Sequence, residues 1–247
     1  MSAAVVSLHD VRCEVQGRII LQIDHLHVHA GERVAVVGHN GAGKSTLLKV
    51  LSGLVPISQG RVQVLGAHVS PGMRQQDLRA LRSKVGHLWQ GLHLVGRLRA
   101  LDNVLIGALG RIRGWRSWLR LYAAPEQALA RLALERVGAA DLADVRCDQL
   151  SGGERQKVAL ARLLMQGPEL VLADEPTAAL DPVAAAQSCA QLFQAAQQAT
   201  LITVVHNTAL LPLLADRVIG LRQGRVMFDL PTAQVNDTVL NQLYQTP

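Results

Sequence analysis

The run Gly38-His39-Asn40-Gly41-Ala42-Gly43-Lys44-Ser45-Thr46 sets a glycine, then four residues, before Gly-Lys-Ser. That spacing suits one task. Glycines let the backbone close around phosphate groups with successive N–H groups pointing inward, and a helix begun at the lysine presents its positive end. Lys44 then reaches the β- and γ-phosphates of a nucleotide, and the Ser45 hydroxyl ligates Mg²⁺. A glycine-rich turn alone can arise by chance, so context decides. Here the apolar run Arg33-Val-Ala-Val-Val37 precedes the glycines, and Leu47, Leu48, Leu51 and Leu54 follow at helical spacing.

Two further constellations supply what such a loop needs. Leu170-Val-Leu-Ala-Asp174-Glu175 reads as a buried strand ending in two acids. Asp174 would stand beside the phosphates and hold magnesium through its water shell, while Glu175 would polarise an attacking water as general base. Leu150-Ser151-Gly152-Gly153-Glu154-Arg155-Gln156 opens a helix. Ser151 is a good N-cap, and the paired glycines leave N–H groups uncovered at a positive helix end. The chain thus carries a second anion-binding device.

These residues need a scaffold that alternates strands and helices. Leu8 to Val15, Ile19 to Val28, Arg33 to Val37, Arg61 to Leu65, Val85 to Trp89, Leu170 to Ala173 and Leu201 to Val205 read as strands. Ser45 to Leu54, Asp77 to Ser83, Asp102 to Leu109, Pro125 to Val137, Gly153 to Gln166 and Pro182 to Ala199 read as helices, several closed by glycine. The pattern predicts an α/β fold with a largely parallel sheet. Between Gly91 and Leu150 the sequence is helical, Arg- and Ala-rich and without a good strand, so it is expected to form an inserted lobe.

Composition bounds the rest. A length of 247 residues with 49% hydrophobic content excludes disorder and suits one large α/β domain or two small ones. Cys13, Cys147 and Cys189 are odd in number and lack metal-ligand spacing, which points to a reducing compartment. The N-terminus lacks the basic region and long apolar run of a signal peptide. Val183 to Ala215 contains no Lys, Arg, Asp or Glu, yet its glutamines, His206, Asn207 and Pro212 make it a helix followed by a buried strand, not a membrane span. The net charge of +6 is attributed to surface arginines, with one local exception. Arg97, Arg99, Arg111, Arg113, Arg116 and Arg120 surround Trp115 and Trp118 with a single acid, Asp102, and read as a contact surface or a solvated helix face.

With these motifs in order, the chain resembles the nucleotide-binding subunit of an ATP-binding cassette (ABC) transporter. Leu150 to Gln156 is the specific signature, because other phosphate-loop ATPases lack it. Gln90 at a strand end, Ala178-Ala179-Leu180-Asp181 beyond Glu175-Pro176, and His206 after a strand complete the set. Singly, these last would pass for a loop amide, a helix cap and a strand-end histidine.

The resemblance implies a single domain, 1–247: a P-loop NTPase with a RecA-like parallel-sheet core and an N-terminal antiparallel β subdomain (1–90 and 167–247). An α-helical subdomain, 91–166, is inserted and ends in the signature helix. It implies ATP and Mg²⁺ as ligands and a head-to-tail homodimer, each ATP lying between Gly38–Thr46 of one copy and Ser151–Gly153 of the other. Lys44, Glu175 and His206 would serve catalysis, with His206 touching the γ-phosphate. Ser45, Gln90 and Asp174 would serve the metal, Gln90 linking ATP to the helical lobe, and Asp181 would contact across the dimer. One departure stands out: where the family places an aromatic residue to stack on adenine, the matching position is Val15. The grip on the base is then weaker or less selective.

Leu94 to Gly110, Gly114 to Leu119 and Ala215 to Asp229 resemble ATPase subunits of phosphonate importers. The implied partners are integral-membrane permease subunits and, indirectly, a solute-binding receptor. The implied location is the cytoplasmic face of the cell membrane, and no nucleic-acid partner is expected. The alternatives are the ATPase of an export-type complex and a non-transport clamp acting on nucleic acid or ribosomes. Relatives of the latter kind carry long coiled-coil insertions or two cassettes per chain.

Overall fold

A computed structural model describes residues 4–112, 122–177 and 182–245, with only the backbone described for Pro182 and Val183. Ten strands fall into two sheets. The first is antiparallel, in the order β2-β1-β4-β5, formed by β1 (Ala4–Val15), β2 (Arg18–His29), β4 (Gln59–Val64) and β5 (Ala67–Val69). The second has the order β10-β9-β3-β8-β7-β6. Its strands are β3 (Arg33–Val37), β6 (Val85–Leu88), β7 (Leu170–Asp174), β8 (Thr200–Val204), β9 (Arg217–Arg222) and β10 (Arg225–Pro231). Five of these run parallel, and β10 closes one edge in antiparallel sense.

Burial explains the sequence patterns. Strands β7 and β8 are buried at every residue, as expected for parallel strands covered on both faces, and their sequences are correspondingly dominated by apolar residues. Strands β1 and β2 alternate only weakly because the alternation changes phase midway. Val6 and Leu8 face the core, then Val11 and Cys13, with Asp10 in a left-handed conformation (φ 50°) and the pairing to β4 shifted between His9 and Arg12. Such a bulge adds one residue and reverses which side chains point inward.

Helix α1 (Lys44–Leu51) follows the glycine loop and packs Leu47, Leu48, Val50 and Leu51 into the core shared by both sheets. Helix α2 (Gln75–Lys84) leads into β6. Residues 91–166 carry α3 (Ala100–Ile106), α4 (Ala124–Arg136) and α5 (Gly152–Gln166), and these three pack against one another. Helix α5 also reaches the main sheet: Gln166 donates to the Val85 carbonyl at 3.0 Å, and Arg162 donates to the carbonyls of Leu92 and His93 at 2.6 and 2.8 Å. Helix α6 (Pro182–Ala195) precedes β8, so Val183 to Ala215 does begin with a helix and a buried strand. No helix among the described residues is long and apolar enough to cross a membrane.

The short β5, the pair β9–β10, α7 (Leu211–Leu214) and the terminal helix α8 (Asp237–Tyr244) were not predicted. Too few residues carry a period in β5 and α7, and β9–β10 lie where the sequence was read only as a likeness. Of the arginine-rich stretch, Arg113, Arg116 and Arg120, with Trp115 and Trp118, lie outside the described residues. Arg99 pairs with Asp102 and Asp144, and Arg111 pairs with Glu126. The counterions Asp144 and Glu126 are distant in sequence, so the patch is less positive than a local count suggests.

Candidate functional site

The loop between β3 and α1 is shaped by backbone that only glycine adopts freely. Gly38, Gly41 and Gly43 have φ of 150°, 80° and 101°. At Gly38 a Cβ would stand 2.1 Å from the Leu221 carbonyl oxygen, so no other residue fits. Gly43 offers no side-chain cap to α1, which leaves the first N–H groups of the helix for a ligand.

A cleft of about 680 Å³ opens over this loop, lined by Asn40, Gly41, Gly43, Lys44, Ser45, Thr46, Gln90, Glu175, His206 and Ile20. Lys44 is buried and donates from Nζ to the carbonyls of Gly38 and His39 at 2.7 and 2.9 Å. Burial lowers its pKa, opposed by the nearby carboxylates of Glu175 and Asp174. The Ser45 hydroxyl donates to Asp174 Oδ1 at 3.2 Å. Burial raises the Asp174 carboxyl, and the Ser45 hydrogen bond opposes this. A buried carboxylate beside a hydroxyl favours a cation. The two oxygens suit Mg²⁺, which takes few protein ligands and keeps water and phosphate for the rest of its shell. Among the described residues no group of three or more His, Cys, Asp and Glu is arranged around a metal position, as such a site requires none.

Glu175 occupies the mouth of the cleft. It follows the last residue of β7 with φ 51°, a conformation costly for a side chain this long, and its N–H is held by the Val204 carbonyl at 3.2 Å. Its two carboxylate oxygens have separate partners. Oε1 lies 2.7 Å from His206 Nε2, and Oε2 accepts from Gln90 Nε2 at 3.2 Å. Strands β6, β7 and β8 are consecutive in the sheet, so Gln90, Glu175 and His206 issue from three neighbouring strand ends. That is the usual ligand-binding edge of an open α/β sheet.

Ser151, Gly152 and Gly153 lie elsewhere. Ser151 caps α5 by a reciprocal capping box: its N–H donates to Glu154 Oε2 at 2.8 Å and its Oγ accepts from the Glu154 N–H at 3.3 Å. All three residues are exposed, and a Cβ at either glycine would meet nothing within 4 Å. They do not line the cleft of their own chain. Asp181 and Ala178–Leu180 lie outside the described residues. Val15 is exposed near the tip of the β1–β2 hairpin and does not line the cleft; the apolar wall comes from Ile20. Sequence reasoning missed Ile20, whose only signal was its place beside that hairpin tip.

The description of the ABC transporter family matches residues 21–178, more than half the chain and including every motif from the phosphate loop to Glu175. The chain belongs to the ABC transporter family. A phosphonates import ATP-binding protein, PhnC, of Nocardia farcinica is 43% identical over 99% of this chain and 92% of its own length. A phosphate-import ATP-binding protein, PhnC, of Mycolicibacterium smegmatis is 44% identical over 91% and 87%. The solved dimer of the ATP-binding cassette MJ0796, in a post-hydrolysis state bound to ADP and Pi, superposes with a TM-score of 0.77 at 27% identity, covering 92% of this chain and 98% of that one. The chain is therefore an ABC ATPase.

Proposed function

We propose that this cassette is the energy-coupling subunit of an importer for phosphonate or a related small phosphorus oxyanion, working as a head-to-tail dimer. The chemistry rests on one observation: Glu175 stands at the cleft mouth with one oxygen on His206 and the other on Gln90. A carboxylate so held has both oxygens engaged, and it lines the same cleft as Lys44. Lys44 and the loop N–H groups bind the β- and γ-phosphates. Glu175 takes the proton of the attacking water, and His206 fixes Glu175 and the water in line. Ser45 and Asp174, with Gln90 beside them, would hold magnesium, Asp174 through its water shell, and the ion would neutralise phosphate charge.

The second half of each site comes from a partner copy. The N-terminus of α5 at Ser151–Gly153 is exposed and would present its N–H groups to an anion brought by a partner. Paired head to tail, two copies would each cover the other's cleft. The dimeric solved cassette and the named import relatives support this reading. The helical segment 91–166 meets the permease at the cytoplasmic face of the membrane, and Gln90 relays closure to it through the Leu92 and His93 carbonyls held by Arg162. The solute itself is bound by a separate receptor.

The test is Glu175→Gln, an isosteric change that keeps hydrogen bonding and removes the base. ATP hydrolysis falls by about 10²-fold or more, and Mg-ATP holds the variant as a dimer on size exclusion. Hydrolysis at the parent rate, or a monomer with bound ATP, overturns the mechanism.

A further inference from the structure

The last helix of the chain touches the first residues of the phosphate loop. Helix α8 is anchored by Leu243, fully buried in the main core, and by Arg222 of β9 donating to the Gln242 carbonyl at 3.4 Å. The next residue, Tyr244, is half-buried. Its carbonyl accepts from His39 Nε2 at 2.9 Å, and its ring meets the His39 imidazole edge-on with centroids 5.1 Å apart. Its hydroxyl lies beside the Gly38 backbone. A single residue thus holds both Gly38 and His39 from outside the cleft.

From inside, the same two residues are held by Lys44, whose Nζ takes both of their carbonyls. That inner hold weakens when it is needed, because Lys44 must share its donors with incoming phosphates. Gly38 itself has no steric freedom to spare, with Leu221 against it. A loop that must keep its N–H groups convergent loses affinity if its entry has to be ordered at the moment of binding. We propose that Tyr244 is a positioning residue for ATP: it keeps Gly38–His39 in the binding shape as Lys44 turns to the phosphates, so that the C-terminal helix sets nucleotide affinity.

The proposal rests on the cleft being the ATP site, and the experiment separates the two. ATP binding to the full chain is measured by displacement of a fluorescent ATP analogue without magnesium, for the parent, Tyr244→Phe, Tyr244→Ala, His39→Ala and the Tyr244→Ala/His39→Ala pair. Tyr244→Ala binds ATP about fivefold more weakly, and Tyr244→Phe, which keeps the ring and lacks only the hydroxyl, falls between it and the parent. The double variant loses less than the two single losses combined, since the ring contact is shared while only His39→Ala removes the bond to the Tyr244 main-chain carbonyl. In steady-state hydrolysis the loss falls on KM, with kcat changed less than twofold. Equal affinities for the parent and all three single variants overturn the role of Tyr244 while leaving the ATP site intact. If the parent does not bind ATP, the ATP site itself is wrong. Should Tyr244→Ala fail to fold, Tyr244→Phe and His39→Ala decide the question alone, both by weaker binding.

Discussion

Gln156, on the second turn of α5, donates its side-chain amide to the Pro176 carbonyl at 2.9 Å, one residue beyond Glu175. The same amide nitrogen reaches Ser188 Oγ on α6 at 3.2 Å, and the residue is buried. The helix that begins at Ser151–Gly153 is therefore tied through a buried amide to the segment carrying Glu175. In the proposed dimer, closure on one face of α5 would reach Glu175 of that same chain by this route.

Replacing Gln156 with alanine leaves the Pro176 carbonyl without its buried donor. The expected cost is about 2 kcal/mol of stability, read by urea denaturation. ATP hydrolysis should fall about tenfold or more, since small displacements of a catalytic group are costly. Full activity in a destabilised variant would break the proposed link between α5 and Glu175.

Base recognition follows from the absence of an aromatic platform. Stacking on an aromatic residue contributes about 1–3 kcal/mol per base, whereas Ile20 offers only an apolar wall that favours no particular base. ATP and GTP should therefore bind within about threefold of each other. Ile20→Ala should weaken both alike. Calorimetric titration of the two nucleotides checks this, and a strong adenine preference would show that a base-reading group has been overlooked.

His87, stacked on Trp89 beneath the helical segment, gives a pH prediction of definite sign. Burial, with Arg82 as the lesser cause, lowers its pKa from 6.5 to about 4, and its Nδ1 has no hydrogen-bond partner. The native state thus keeps this imidazole neutral, whereas the unfolded chain protonates it below its ordinary value. Its share of stability is fully present above about pH 6.5 and is lost progressively toward pH 4, by about 3 kcal/mol at most. A His87→Gln variant lacks that increment, so its denaturation midpoint should fall less steeply with acid than the parent's over this interval. Parallel slopes would mean that the imidazole is hydrated in the native state.

Much of the site could be read in the sequence because phosphate recognition is built from local backbone. Gly38 to Thr46 need only a strand before and a helix after, and both appear as short-range periodicity. The capping box at Ser151 and the buried β7 ending at Asp174 are equally local. Long-range pairing was harder to see. The change of phase at Asp10 blurs alternation in β1, and β5 is too short to show a period. Beyond Asp102, the acids that engage Arg99 and Arg111 are Asp144 and Glu126, which lie outside the stretch in which the patch is counted.

By itself, then, the sequence determined the parts: a glycine loop set between a strand and a helix, a glutamate one residue past a buried acid, and a serine-capped helix opened by two glycines. Tertiary structure alone decided their relations. Only the order of β6, β7 and β8 brings Gln90 and His206 onto the two oxygens of Glu175, only packing sets Ile20 where Val15 was expected, and only the return of α8 lays Tyr244 on Gly38 and His39. Local backbone chemistry is written in neighbouring residues. Contacts across many residues exist only once burial of the core has fixed which strand ends and helices meet.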